Sequence, residues 1–150
     1  MTASNQFGLL LLEDSEEDIF LFHRAVAKLG RPVALHSVRK GHEAQQHLLG
    51  TGKFADRNEF PMPDVIFCDL QLPGMSGLQF LDWLRQQPML RSIPCVIYSG
   101  SANPSDVHAA YDLGVTSFIV KPIDFHHWVS RLEVVLKFWM DIAQRPVLAG

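Results

Sequence analysis

The sequence predicts an α/β fold: a parallel sheet with helices packed on both faces. Two observations carry that prediction. Short apolar runs alternate with longer stretches of helical spacing, five of each. The apolar runs are continuous rather than alternating, as in FGLLLL and VIFC, which marks strands covered on both faces.

The elements follow in order. Phe7 to Leu12 is the first strand. Ser15 starts a helix: with Asp18 it resembles a capping box, and Glu16 and Glu17 suit the positive end of a helix dipole. Ile19, Phe22, Val26 and Leu29 keep helical spacing, and Gly30 with Pro32 ends it. Val33 to Val38 is the second strand, and a weaker helix covers Gly41 to Leu49. Residues 50 to 63, rich in Gly, Pro and charge, form a loop. Asp64 to Cys68 is the third strand, and a helix runs from Ser76 to Gln87, before Pro88. Ile93 to Tyr98 is the fourth strand. Asn103 reads as an N-cap with Pro104 at the first helical position, and that helix ends at Leu113-Gly114. Thr116 to Val120 is the fifth strand. The last helix starts near Asp124, with Phe125, Trp128, Val129, Leu132, Val135, Leu136 and Trp139 along one face.

The 150 residues fit one domain, residues 1–150, with a core of about 7–140 and a tail from Asp141 to Gly150 expected to fray. A hydrophobic content of 47% is ample for one core, and a net charge of -3 without a Lys/Arg-rich run gives nucleic acid no basic field. Cys68 and Cys95 sit in apolar runs, as reduced buried thiols do. The N-terminus lacks the basic start and apolar run of a signal peptide, and no run approaches the ~20 residues that span a bilayer. A soluble, cytoplasmic protein without a membrane or nucleic-acid partner is expected.

Sites in open parallel sheets form beyond the carboxyl ends of the strands. There the sequence places Glu13 and Asp14, then Asp69, then Ser99, Gly100 and Ser101, then Lys121 and Pro122. Carboxylates crowded together repel unless a cation sits among them. Oxygen donors at an open edge suit Mg2+. A carboxylate can attack phosphorus to give an aspartyl phosphate, with a lysine and a hydroxyl to stabilise the charge.

The acidic pair in LLLEDSEED, the aspartate in VIFCDLQLPGMSG, the hydroxyl in VIYSGS and the lysine-proline in SFIVKP stand in order, each at a strand end. Each alone is weak; together they resemble the response-regulator receiver domains of two-component signalling over residues 7 to 140. The long loop, the segment AYDLGVTSFIVKPIDF and the aromatic end KFWM are similar to stand-alone receivers that partner bacterial phytochromes. The resemblance implies a doubly wound five-stranded parallel sheet of flavodoxin-like order 2-1-3-4-5. It implies Asp69 as phosphoacceptor, Glu13, Asp14, Asp69 and the Gln71 backbone carbonyl as Mg2+ ligands, Ser99 and Phe118 as switch residues, and Lys121 against the phosphoryl group. It also implies a cis peptide before Pro122. Ser99 stands where many relatives have threonine, and Ser76 where many have aspartate; Ser76 is read as a helix cap.

The implied function is phosphorelay signalling rather than enzymatic turnover: a histidine kinase phosphorylates Asp69, and the new charge changes an interaction face. With no output domain following, the readout is a protein partner or a homodimer through helix four, strand five and helix five, where Val134 and Phe138 add an apolar pair beside the core stripe. The competing arrangement tucks Phe138 under the tail at Val147 and Leu148. Two other classes fit less well. A phosphohydrolase of the haloacid-dehalogenase type resembles DxD after the strand, whereas Asp69-Leu70-Gln71 lacks the second carboxylate. A pseudo-receiver scaffold loses an acidic or lysine position, and this chain keeps them.

Blander roles compete residue by residue. Asp69 alone reads as a turn residue, Asp14 as a charge before a helix, Asp18 as a cap partner and Ser101 as a loop hydroxyl. His23, His36, His42, His47, His108, His126 and His127 show no metal-ligand spacing and read as surface or packing residues. Cys68 is expected on the sheet face opposite Asp69.

Overall fold

The computed structural model describes residues 6–148; the readings of residues 1–5 as free of a leader and of 149–150 as frayed lie outside them. Strands β1 (Phe7–Leu12), β2 (Val33–Val38), β3 (Val65–Asp69), β4 (Cys95–Ser99) and β5 (Ser117–Val120) alternate with helices α1 (Glu16–Leu29), α2 (Gly41–Leu49), α3 (Gly77–Gln86), α4 (Pro104–Asp112) and α5 (Phe125–Lys137). All strands are parallel, in the expected order β2-β1-β3-β4-β5. Two strands begin later than their sequence suggests. The Asp64 carboxylate turns back to accept from the Gly8 N–H at 2.7 Å, so β3 starts at Val65. Pro94 has no N–H to give the ladder, so β4 starts at Cys95.

The pleat sorts the core into two layers. Leu9, Leu11, Val65, Phe67, Val96 and Tyr98 face Phe22 of α1 and Trp128 and Leu132 of α5. Leu10, Leu12, Ile66, Cys68, Cys95 and Ile97 face Leu48 of α2 and Phe80 and Leu84 of α3. Cys68 thus lies on the layer away from Phe67 and its i+2 neighbour Asp69, as alternation requires. On α5, Trp128, Val129, Leu132 and Leu136 are buried, whereas Phe125, expected in that stripe, is 54% exposed at the first helical turn.

Caps fix the helix ends. Ser76 and Gln79 form a complete capping box on α3. Ser15 accepts from the Asp18 N–H, but the Asp18 carboxylate does not return the bond. Gly30 at φ 64° closes α1 with a left-handed turn. The expected loop 50–63 contains a short 3-10 turn, Gly52–Phe54, and covers an aromatic cluster of Phe54, Phe60, His36 and His47. The Arg57 guanidinium donates to the carbonyls of His47 and Leu48, closing α2. Arg85 of α3 donates to the carbonyls of Arg91, Ile93 and Gly114, tying α3 to the start of β4 and the end of α4.

The tail does not fray over its described part. A π-turn, Phe138–Ile142, follows α5. Beyond it, Arg145 lies 4.9 Å from the Phe7 ring centroid, donates to the Trp139 carbonyl at 2.7 Å and stands 3.7 Å from the Asp64 carboxylate. Leu148 packs on the α2/α3 layer. Phe138 is not tucked under this tail: its ring stands edge-on to Trp139 and remains 44% exposed. The open edge at β5 is blunted, because the Phe118 N–H donates to the Tyr111 hydroxyl and the Val120 carbonyl accepts from Arg131.

Candidate functional site

β1 and β3 are neighbours, with Leu12 paired to Cys68, so the residues that follow, Glu13 and Asp69, emerge side by side. Asp14 is the next residue on β1's exit. Each of Glu13, Asp14 and Asp69 presents a carboxylate oxygen within 4.8 Å of the other two. Glu13 is fully buried, Asp69 half-buried and Asp14 exposed, so the cluster opens to solvent on one side.

Burial and neighbours set the charge state. Burial pushes the Glu13 carboxyl up to about 7, against the lowering effect of its hydrogen bonds to Tyr98 and Ser15. Burial also raises the Asp69 carboxyl, while the Gln71 N–H, which donates to Oδ1 at 3.2 Å, holds it down. Crowded, partly dehydrated carboxylates of this kind favour a shared proton or a cation. The donor set is oxygen only, which fits a hard divalent ion such as Mg2+ or Mn2+.

The remaining predicted residues lie around this cluster. Ser99 is buried at the end of β4, and its Oγ accepts from the Ser101 N–H at 3.2 Å. The Ser99 carbonyl accepts from the Lys121 N–H at 2.7 Å, which fixes the exits of β4 and β5 together. Phe118 is half-buried against the α2/α3 layer and pairs in register with Ile97. Gln71 is exposed, beside Asp69.

Lys121, whose charge helps hold the Asp69 carboxyl down, is engaged with α1. Its Nζ lies 2.8 Å from Asp18 Oδ2, an ion pair reaching from β5 to α1. The bond before Pro122 is trans, and no cis peptide occurs among the described residues. Trans is the intrinsically favoured X–Pro state by about 0.5–1 kcal/mol.

Sequence reasoning missed two contributors. Asp18 reads in the sequence as a cap partner, and no local pattern signals its ion pair with Lys121. Tyr98 donates to Glu13 Oε1 at 2.5 Å within the core. One signal was present: a phenol at the end of an otherwise apolar buried strand needs a polar partner.

The fold is shared with known regulators. The solved structure of the phosphorylated cyanobacterial phytochrome response regulator RcpA superposes with a TM-score of 0.88 at 32% identity, covering 95% of this chain and 99% of that one. The Mn2+-bound form of response regulator Rcp1 superposes at 0.86 with 28% identity, covering 94% and 99%. Response regulator Rcp1 of Synechocystis sp. is 29% identical over 138 residues, 92% of each chain. No helix among the described residues is long and apolar enough to cross a membrane. Residues 9–133 match the response regulator receiver domain, and the chain belongs to that family.

Proposed function

We propose that residues 1–150 form a single-domain response regulator in which Asp69 accepts a phosphoryl group from the phosphohistidine of a kinase. The supporting observation is the carboxylate cluster of Glu13, Asp14 and Asp69 at the strand ends, with Lys121 and Ser99 at the neighbouring exits. In the transfer, an Asp69 carboxylate oxygen forms the new P–O bond as the P–N bond to the kinase imidazole breaks, and the imidazole leaves neutral, keeping the proton already on its other ring nitrogen. A bound Mg2+ would offset phosphoryl charge there, held by Asp14, Asp69 and the Gln71 carbonyl with Glu13 behind them. Lys121 supplies a further positive charge, and the Ser99 hydroxyl a donor once it leaves the Ser101 turn. Phe118, next along the sheet, follows Ser99 and alters the outer face. The chain acts as a signalling protein and not as an enzyme.

The similarity to phytochrome and bacteriophytochrome response regulators favours a phytochrome-type histidine kinase as the donor. Output through a homodimer fits the face of α4, β5 and α5, where Tyr111, Val120, Phe125, Val134 and Phe138 are exposed. Because the β5 edge is already capped, side chains rather than sheet extension would make that contact.

Acetyl phosphate with Mg2+ should add one phosphoryl mass, and Asp69→Asn should abolish it; modification persisting in that variant would overturn the assignment. Light scattering should show a dimer whose population changes with beryllofluoride and falls in Phe138→Glu. A protein that stays monomeric at tens of micromolar in both states would remove the dimer from this reading.

A further inference from the structure

The floor of the site is made by a residue outside the expected set. β3 lies between β1 and β4, and Asp69 pairs in register with Tyr98. The Leu70 N–H donates to the Tyr98 carbonyl at 2.9 Å, so the two backbones are fixed against each other. Register partners in a parallel sheet point to the same face. Tyr98 therefore projects beside Asp69, yet its hydroxyl ends on Glu13, one strand further on, at 2.5 Å. Two strand spacings are roughly 9.6 Å. The phenol bridges that span beneath the position of Asp69.

The ring has little freedom. Tyr98 is 1% exposed, with the Phe22 ring centroid at 5.4 Å and that of Trp128 at 5.6 Å. Glu13 is held at both oxygens: Tyr98 donates to Oε1 and the Ser15 N–H donates to Oε2. A buried carboxylate with both oxygens engaged does not swing outward to an ion at the solvent side. Its location, and hence the centre of negative charge behind Asp14 and Asp69, is set by the hydroxyl of Tyr98.

We propose that Tyr98 is a positioning residue for the cation site, acting through Glu13. This rests on the reading of the carboxylate cluster as a divalent-cation site. Groups that orient the first ring of ligands change metal affinity by roughly 10–100-fold when removed. The competing role is core packing alone, in which the hydroxyl has merely found a partner.

Mg2+ titration by calorimetry separates the two. Tyr98→Phe keeps the ring and removes only the hydroxyl. Phe22→Leu loosens the same aromatic cluster and leaves the hydroxyl in place. The proposal expects Tyr98→Phe to weaken Mg2+ binding roughly tenfold or more. It expects Phe22→Leu to shift the dissociation constant by less than about threefold, though it lowers the unfolding temperature more. Tyr98→Phe should also lose most of the rise in unfolding temperature that Mg2+ gives the wild type. An unchanged Mg2+ affinity in Tyr98→Phe, or an equal loss in Phe22→Leu, overturns the role of Tyr98 while the cation site stands. A wild-type chain that binds no Mg2+ overturns the cation site itself, and the role of Tyr98 with it.

Discussion

Lys121 and Asp18 form an ion pair at 2.8 Å that joins the exit of β5 to the first turn of α1. Both side chains are mostly shielded from solvent, so removing one partner strands the other in a region of low polarity. Asp18→Asn is expected to lower the unfolding free energy by about 1–2 kcal/mol. Asp69→Asn should act in the opposite sense, since it removes one carboxylate from a crowded cluster whose burial already disfavours charge. Urea unfolding of the two variants beside the wild type, without divalent ions, tests the opposite signs.

Gly77, the first residue of α3, passes under the acceptor strand. A Cβ there would meet the Asp69 carbonyl oxygen at 2.5 Å and the Leu70 Cα at 2.9 Å, both backbone atoms. Gly77→Ala must push the backbone of the acceptor itself, at a cost of about 1–3 kcal/mol, and phosphorylation by acetyl phosphate should slow. Gly8→Ala is the control. Its Cβ would come no closer than 3.4 Å to any neighbouring atom, ordinary van der Waals contact. Thermal unfolding and phosphorylation rates should separate the two alanines clearly.

His47 predicts acid lability. Its ring is buried and neither nitrogen has a hydrogen-bond partner. Burial, with His36 and Arg57 nearby, lowers its pKa to about 4 from an ordinary 6.5. Between those values the unfolded chain binds more protons than the folded one, so stability falls as pH falls. The full loss is at most about 3 kcal/mol by pH 4. Glu13 works in reverse: with its carboxyl raised from 4.5 to about 7, its contribution to stability falls as pH rises through that window. Comparing wild type with His47→Phe cancels the Glu13 part. The variant should lose less stability between pH 6.5 and 4.5, and the two curves should run parallel above pH 7.

Arg145 holds the tail beneath the sheet by its contacts with Phe7, Asp64 and the Trp139 carbonyl. Arg145→Ala should cost about 1–2 kcal/mol from the lost cation–π contact and hydrogen bond. Proteolysis should then cut after the π-turn at a lower protease concentration than in the wild type, with phosphorylation by acetyl phosphate unaffected.

What the sequence revealed follows from locality. Alternating apolar runs and capped helices are written within windows of a dozen residues, and these gave the class and most boundaries, while the strand order came with the resemblance to receiver domains. The carboxylates of the site were readable because strand ends locate them without any knowledge of packing. The pairs that were missed link distant positions: Tyr98 to Glu13 across 85 residues and Lys121 to Asp18 across 103. No spacing rule connects them, because only the sheet order brings them together. Phe125 failed for a different reason. It satisfies the helical period, but it lies in the first turn of α5, where the stripe overhangs the end of the sheet.

The guanidinium of Arg85 fastens the chain just after α4, through Gly114, while the residues that open α4, from Asn103 to Ser105, are exposed and follow the turn made by Ser99, Gly100 and Ser101. A rod pinned at one end turns about its pin. The nine residues of α4 make a rod about 13 Å long. A tilt of about 10° would carry its free end sideways by about 2 Å while the pinned end, where Tyr111 caps the β5 edge, barely moves. A small displacement at Ser99 would thus swing the free end of α4 and fade toward the pin, with the sheet edge left intact.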